Sequence, residues 1–471
     1  MNLLEMFQSL GPNILIAVAS FIVVLSILVF VHEWGHYIVA RLCGVRVEEF
    51  SIGFGKEIWG YTDKAGTRWK VSLVPLGGFV KMYGDVDPAS SGASDMVESS
   101  DMAEDGFTPM RPMTEEERKE AFFAKPVWQR AAIVFAGPAI NYVLAVVLLA
   151  GLFVFHGQNV IKPEIGGILA GSSAEEYGFQ PQDVILSIDG KRIDKFQDIS
   201  REMMVALDQE KHFVVQRGKE IIDIYAKPTR IEQKDRFGFP SSKGVLGVFP
   251  AESGFAASRI KVIDGQKYDN VEEVLEILKS KMGTTFSVAT SDEEGADVYI
   301  VNPSAQVNDE FGTFENMEDE VLILSSTKGE ALIPHNFMTA TQSAIRESYV
   351  MTRSSLEAIW QMIVGVRSAT ELGGIVRIGA IAGDMAQQGI IPLILLTALL
   401  SVNLGFINLL PIPLLDGGHL TFYFFEAIMG KPVPEPVQEY AFRAGLVFLI
   451  GIMAFANIND LVQLSGILEG K

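Results

Sequence analysis

The sequence predicts a polytopic α-helical membrane protein with four transmembrane helices and β-rich regions between them. Three observations carry that prediction. The 471 residues are 48% hydrophobic yet carry a net charge of −20, so apolar and acidic residues must be segregated along the chain. Four apolar runs supply the segregation: Ile14–Val31, Ala131–Phe155, Ile390–Leu410 and Gly445–Ile458. A bilayer crossing needs about 20 such residues, and the last run is the shortest. Finally, His32-Glu33-Trp34-Gly35-His36 closes the first run, and ionisable groups at membrane depth are expensive unless they have a task.

The first span is placed at 8–40. It is read as retained, because Glu5 and the lack of any basic residue before the run do not fit a cleavable leader, and no small-x-small site follows. The first basic residue is Arg41, followed by Arg46, Lys56, Lys64, Arg68 and Lys70. The positive-inside rule then puts the N-terminus outside and 41–130 in the cytoplasm. Counting spans places 157–385 outside, 415–436 inside and the C-terminus outside. Arg346, Arg353, Arg367 and Arg377 lie on the side read as external, against the rule, but the first helix usually dominates. The acidic balance argues against a nucleic-acid partner. Cys43 is the single cysteine, so no intramolecular disulfide helps the soluble part fold.

Residues 44–84 alternate β-formers (Val45, Val47, Ile52; Trp69, Val71, Leu73) with turns at Lys64-Ala65-Gly66 and Leu76-Gly77-Gly78. They read as short strands. These are either an ordinary cytoplasmic hairpin or a sheet beside the membrane site whose edge can accept an extended peptide. Residues 85–127 form an acidic linker followed by an amphipathic helix over Thr114–Trp128, with Thr114 and Glu117 as a capping box. The second span covers 128–156. The soluble stretch after it repeats: Ile188-Asp189-Gly190-Lys191 recurs as Ile263-Asp264-Gly265-Gln266 about 75 residues on. Each copy continues with a helix and two strands, giving modules at 157–250 and 251–330. A connecting helical region follows at 338–385, broken at Leu372-Gly373-Gly374-Ile375. The third span covers 386–416 and the fourth 437–459.

The chemistry starts from His32 and His36. Four residues apart on a helix, they share one face and can hold one Zn²⁺, with Glu33 placed to activate water. A hydrolytic zinc site wants three protein ligands and one open position. The third ligand is Asp416, in Asn408-Leu409-Leu410-Pro411-Ile412-Pro413-Leu414-Leu415-Asp416-Gly417-Gly418-His419. By span count Asp416 and His36 end their helices on the same side. Pro411 and Pro413 break the helix ahead of Asp416, and Gly417 and Gly418 permit unusual dihedrals there. Taken alone, Asp416-Gly417 also reads as a turn. His419 is a further possible ligand, read rather as a support to the ligands or a helix-start residue. Asn403 and Asn408 could hold an extended substrate chain or bond neighbouring helices.

Two resemblances sharpen this reading. Ile165-Gly166-Gly167-Ile168, Gly171-Ser172-Ser173-Ala174, Gly178 to Ile185 and Ile188-Asp189-Gly190 resemble a bacterial PDZ domain, implying that the first module binds peptide C-termini or serves as a spacer. The second copy is shortened between Gly247 and Ile263 and reads as a spacer. The whole chain resembles the site-2 protease family (M50). The resemblance rests on His32 to His36, Pro75 to Met82, Ala136-Gly137-Pro138-Ala139-Ile140-Asn141, Ser401 to Gly405 and Asn408 to Gly418. It implies a membrane-reentrant β-sheet and two extracytoplasmic PDZ-like modules. It also implies one Zn²⁺ per chain on His32, His36 and Asp416, with Glu33 as general base and Asn403 and Asn408 on the substrate strand. The implied activity is that of an intramembrane zinc endopeptidase in the bacterial inner membrane, with termini and PDZ modules periplasmic and the active site near the cytoplasmic side. Its substrates would be single-span proteins of anti-sigma-factor type and signal-peptide remnants. Two departures, the shortened second copy and Leu372 to Ile375, bear on substrate gating. The alternative is a catalytically inactive membrane adaptor that recruits peptides through its PDZ modules.

Overall fold

The structure, a computed structural model, describes residues 3–84, 96–98, 110–159, 161–234, 240–293, 295–309, 311, 320–326, 332–333 and 335–469. The predicted acidic linker lies outside these residues, except for an antiparallel pair of short strands, Met96–Glu98 with Met110–Pro112. The chain divides into two compact units. One comprises Met1–Phe155, Asn336–Ser355 and Leu372–Lys471; the other comprises His156–His335 and Leu356–Glu371.

In the first unit, four helices are long and apolar enough to cross a membrane: Leu15–Leu42, Val127–His156, Ile390–Asn408 and Glu435–Gln463. The first of these ends at a left-handed Gly44 (φ +70°), and Val45 N–H bonds back to Ala40 O at 2.9 Å. That is the glycine-terminated close expected at a helix C-terminus. The fourth helix is longer than its apolar run, because Glu439, Arg443 and Asp460 bound the run in hydropathy while the helix continues past them. The third stops at Asn408, short of the expected 416, ahead of Pro411 and Pro413. The amphipathic helix is likewise shorter than expected, Glu115–Glu120. Its Thr114–Glu117 capping box forms, but Ala121 is extended and Pro126 disfavours helix at the residue before it.

Strands Val47–Thr62 and Arg68–Met82 fold back on themselves. Glu49 faces both Lys81 and Arg68, Ile52 faces both Gly78 and Val71, and Trp59 to Thr62 face Val71 to Arg68. The segment 78–82 is therefore paired on one side only. Phe50 stacks on Trp69 at 4.4 Å, and Tyr37 of the first helix meets Trp69 at 5.0 Å. This aromatic cluster fixes one end of the sheet to the helix. At the other end Phe54, Ile58, Trp59, Leu73 and Val74 are exposed.

The second unit holds two modules built to one plan. The first has strand order Glu220–Ala226, Lys211–Arg217, Val184–Ile188, Lys191–Arg192; the second has Val298–Val301, Phe286–Ala289, Val262–Ile263, Gln266–Lys267. In each, an Asp-Gly pair with both φ positive makes the two-residue turn: Asp189 (50°) with Gly190 (75°), and Asp264 (47°) with Gly265 (78°). This is the hairpin the sequence signature demands. Each module has its own core, one around Ile188 and Phe213, the other around Ile263 and Leu278. One strand departs from its expected place. Ile165–Leu169, read as part of the first module, pairs with Val248–Pro250 on one side and with Val298–Val301 of the second module on the other. Ile165 and Ile168 still pack into the first core. Gly166 makes this seam possible, since a Cβ there would sit 2.6 Å from Ala251 Cα.

Candidate metal centre

His32 and His36 lie one turn apart on the first helix, and both are buried. Each ring is held from its far side by the second spanning helix. His36 Nδ1 donates to Ile133 O at 2.9 Å, so its Nε2 carries a bare lone pair. His32 Nδ1 lies 3.1 Å from the side-chain amide of Asn141, a fully buried residue. The Asn141 amide oxygen is buried without a partner among the described residues. Oxygen and nitrogen of an amide are interchangeable by a flip, and the flipped amide accepts Nδ1–H and leaves His32 Nε2 bare as well.

The helices meet this closely because two glycines face the contact. A Cβ on Gly35 would stand 2.5 Å from Ala136 O, and one on Gly137 would stand 2.2 Å from His36 Nε2. Close crossings in membranes are built from small residues for this reason.

Asp416 reaches the pair from the start of the helix Asp416–Met429. Between Asn408 and Asp416 the chain is irregular, as the two prolines require. The left-handed residue, however, is Leu414 (φ 82°), and neither Gly417 nor Gly418. The glycines supply space instead: a Cβ on Gly417 would be 2.2 Å from Leu410 O, and one on Gly418 2.5 Å from Ile412 O. The helix start thus packs directly on the loop that precedes it.

The three donors converge. His32 Nε2 is 3.3 Å from His36 Nε2 and 3.2 Å from Asp416 Oδ2, and His36 Nε2 is 3.6 Å from Asp416 Oδ1. Tetrahedral ligands at zinc bond lengths of about 2.0–2.1 Å stand about 3.3 Å apart. Asp416 Oδ2 is buried with no hydrogen-bond donor among the described residues. Two bare imidazole nitrogens and a carboxylate crowded this closely repel one another unless a cation lies between them, so the set fits Zn²⁺. Among the described residues it is the one such cluster of His, Cys, Asp or Glu.

A cavity of about 640 Å³ opens beside the cluster, lined among others by Glu33, Gly78, Phe79, Val80, Asn408 and His419. The Glu33 carboxylate has no hydrogen-bond partner among the described residues and lies against the strand at Gly78, where a Cβ would be 3.3 Å from Glu33 Cγ. Asn408 Nδ2 is 3.4 Å from His32 Nε2. Asn403 is not among the lining residues; its Oδ1 accepts from Ser355 Oγ at 3.0 Å. Asn141 and Gly137, quoted from the sequence only as part of the family resemblance, are the two positions whose contacts with His32 and His36 had no role assigned. A lone amide in the apolar run Ala131–Phe155 was the available signal for Asn141.

Comparison with known proteins identifies the family. The description of peptidase family M50 matches residues 20–452. A protein of Agrobacterium fabrum named Putative zinc metalloprotease is 33% identical over 449 residues, 95% of this chain and 96% of its own length. The metalloprotease MmpA of Caulobacter vibrioides is 31% identical over 461 residues, 95% and 96% of the two chains. The regulator of sigma-E protease RseP of Salmonella typhimurium is 30% identical over 473 residues, 96% and 100%.

Proposed function

The chain belongs to peptidase family M50, and we propose that it is a zinc endopeptidase that cuts the membrane-spanning segments of single-span proteins within the bilayer. The observation that carries this reading is the meeting of His32, His36 and Asp416 at 3.2–3.6 Å on helices apolar enough to span a membrane. His32 and His36 bind the metal through Nε2 and Asp416 binds it through its carboxylate. When bound, zinc supplies a Lewis acid that polarises a carbonyl and lowers the pKa of water to about 7.

The remaining work falls to the protein. Glu33 takes the proton from the attacking water and returns it to the leaving amine. A helical substrate hides its carbonyls in its own hydrogen bonds, so the segment must unwind before it can react. The one-sided strand 78–82 runs along the cavity and offers backbone groups to an extended chain, as in strand addition. Asn408 at the cavity wall, and the Asn403 amide nitrogen, hold that chain by further hydrogen bonds. The exposed apolar end of the sheet (Phe54, Ile58, Trp59, Leu73) enters the lipid, which makes this a membrane-reentrant sheet.

The two modules of the second unit are PDZ-like and lie outside the inner membrane, with both termini, while the metal site is near the cytoplasmic face. There they exclude substrates whose outer domains are intact. Both faces of the strand Ile165–Leu169 ladder are already paired, so a peptide C-terminus has no place on it. A peptide could add at the other side of Val248–Pro250, an end strand of that sheet. RseP is named a regulator of sigma-E, and substrates of anti-sigma-factor type are the corresponding proposal here, with signal-peptide remnants as a second class.

The test is cleavage of a model single-span substrate by the purified chain in liposomes. Activity should vanish on zinc chelation and in Glu33→Gln, and should return when zinc is added to the chelated native protein. Undiminished cleavage by Glu33→Gln would sink the proposed mechanism, and a native chain that cleaves nothing would leave a membrane adaptor as the better account.

A further inference from the structure

The helix Asp416–Met429 turns a stripe of polar and aromatic residues toward the cavity: Asp416, His419, Tyr423 and Glu426. The spacing of three, four and three residues is that of one helical face. Most of the stripe is engaged. Asp416 faces the two histidines. Glu426 Oε1 pairs with Arg130 Nη2 at 2.5 Å, and the same guanidinium lies 4.9 Å from the centre of the Tyr423 ring.

His419 differs. Its ring has no hydrogen-bond or ion-pair partner among the described residues. It leans against Phe442 at 5.1 Å between ring centroids, and Phe442 is itself buried. An apolar ring at its back fixes the imidazole and offers its nitrogens nothing. His419 is half-buried and lines the cavity beside the three converging donors, so its ring nitrogens are open to a partner that arrives with the substrate. Metal ligation does not explain it. His419 is outside the set of converging donors, and a fourth protein ligand would close the position that hydrolysis needs open.

We propose that His419 is a catalytic residue that donates a ring N–H hydrogen bond to the carbonyl oxygen of the scissile peptide. When water attacks, the new carbon–oxygen bond forms and the carbonyl π pair moves onto that oxygen. The water proton goes to Glu33, and the imidazole keeps its own proton throughout. The bond to His419 strengthens as the oxygen becomes anionic, so it acts mainly on the transition state. This rests on the endopeptidase reading above.

The experiment uses the full-length protein in liposomes with a model single-span substrate. His419→Phe keeps a ring against Phe442 and removes the donor; His419→Gln keeps a donor. His419→Phe should lower kcat by about 100–1,000-fold, the effect of losing one oxyanion donor, with KM unchanged within about threefold and one zinc per chain retained. A phosphinic peptide, which mimics the tetrahedral oxyanion, should lose affinity for His419→Phe by a similar factor. His419→Gln should recover at least about tenfold in kcat. The proposal is overturned if His419→Phe keeps kcat within about threefold, sheds its zinc, or binds the phosphinic peptide as the native protein does. Should His419→Phe not fold, His419→Leu, which also removes the donor, is measured in its place against the same thresholds. A native chain that cleaves nothing would instead refute the endopeptidase reading.

Discussion

Gly137→Ala is the smallest change that should disable the metal site without touching a ligand. A Cβ at 137 would lie 2.2 Å from His36 Nε2, 2.5 Å from His36 Cε1 and 2.9 Å from His32 Cε1, whereas ordinary contact begins at 3.4 Å. The His36 ring must therefore retreat by more than 1 Å. It cannot do so by a small rotation, because Nδ1 is tied to Ile133 O at 2.9 Å and Gly35 is already against Ala136 O. Zinc–imidazole bonds tolerate only about 0.2 Å of error, so a displacement of this size removes one ligand of three. A misplacement of about 1 Å alone can cost a hundredfold in rate. The expected outcome is a chain that inserts and folds but holds far less than one zinc, with cleavage reduced at least about a hundredfold. Zinc content by elemental analysis and cleavage in liposomes are the two readouts. A Gly137→Ala protein with one zinc and native activity would show that the helices do not cross as described.

Two further outcomes follow from particular contacts. Asn141→Leu removes the partner that orients His32 and should weaken zinc binding by about 10–100-fold, while Asn141→Asp, which still accepts Nδ1–H, should bind zinc more tightly than Asn141→Leu. Competition with a chromogenic chelator measures both, and equal affinities would refute the orienting role. In the second module, Asp264 accepts from Lys281 Nζ at 2.6 Å and Ser287 N–H at 2.8 Å, and these bonds hold its carboxyl below the ordinary value of 3.8. A depressed folded-state pKa gives stability that is full above that ordinary value and lost as pH falls through the lower one. The hydrogen-exchange protection factor at Phe286–Ala289, the intrinsic rate over the observed rate at the same pH, should therefore be constant near neutrality and fall below about pH 4, with a weaker pH response in Asp264→Asn; identical profiles would count against this linkage.

Much of the site was legible because its signals are local. The spacing of His32 and His36 is a helix period, and the depth of Asp416 follows from counting spans and from two prolines that stop a helix. The duplicated Asp-Gly turns survive as hairpins because positive φ at both residues is a backbone demand that sequence states directly. What was not legible depends on neighbours distant in sequence. Nothing in Ile165–Leu169 says that its hydrogen bonds go to Val298–Val301, since periodicity fixes which faces are apolar and leaves the partner strand open. The shortened amphipathic helix failed differently. Its apolar patch at Phe122 is used against the sheet, so tertiary packing takes the residue that amphipathicity had assigned to a helix face.

Glycine shows most clearly where sequence reasoning stopped. Gly417 and Gly418 were expected to supply unusual dihedrals, yet the one left-handed residue in that loop is Leu414. A leucine at φ 82° costs on the order of 1–2 kcal/mol, and the fold tolerates it because the surrounding backbone is packed too tightly to relax. Gly417, Gly418 and Gly445 each have a carbonyl oxygen within 2.5 Å of where a Cβ would be, and Gly35 and Gly137 do the same work at the first helix crossing. In a bilayer, helices gain little from burying apolar surface against one another, and close backbone approach is what holds them. Five glycines thus set the distances between the two helices that carry His32, His36 and Asp416 and the elements packed against them. The geometry that brings three donors to 3.2–3.6 Å is fixed as much by absent side chains as by the ligands themselves.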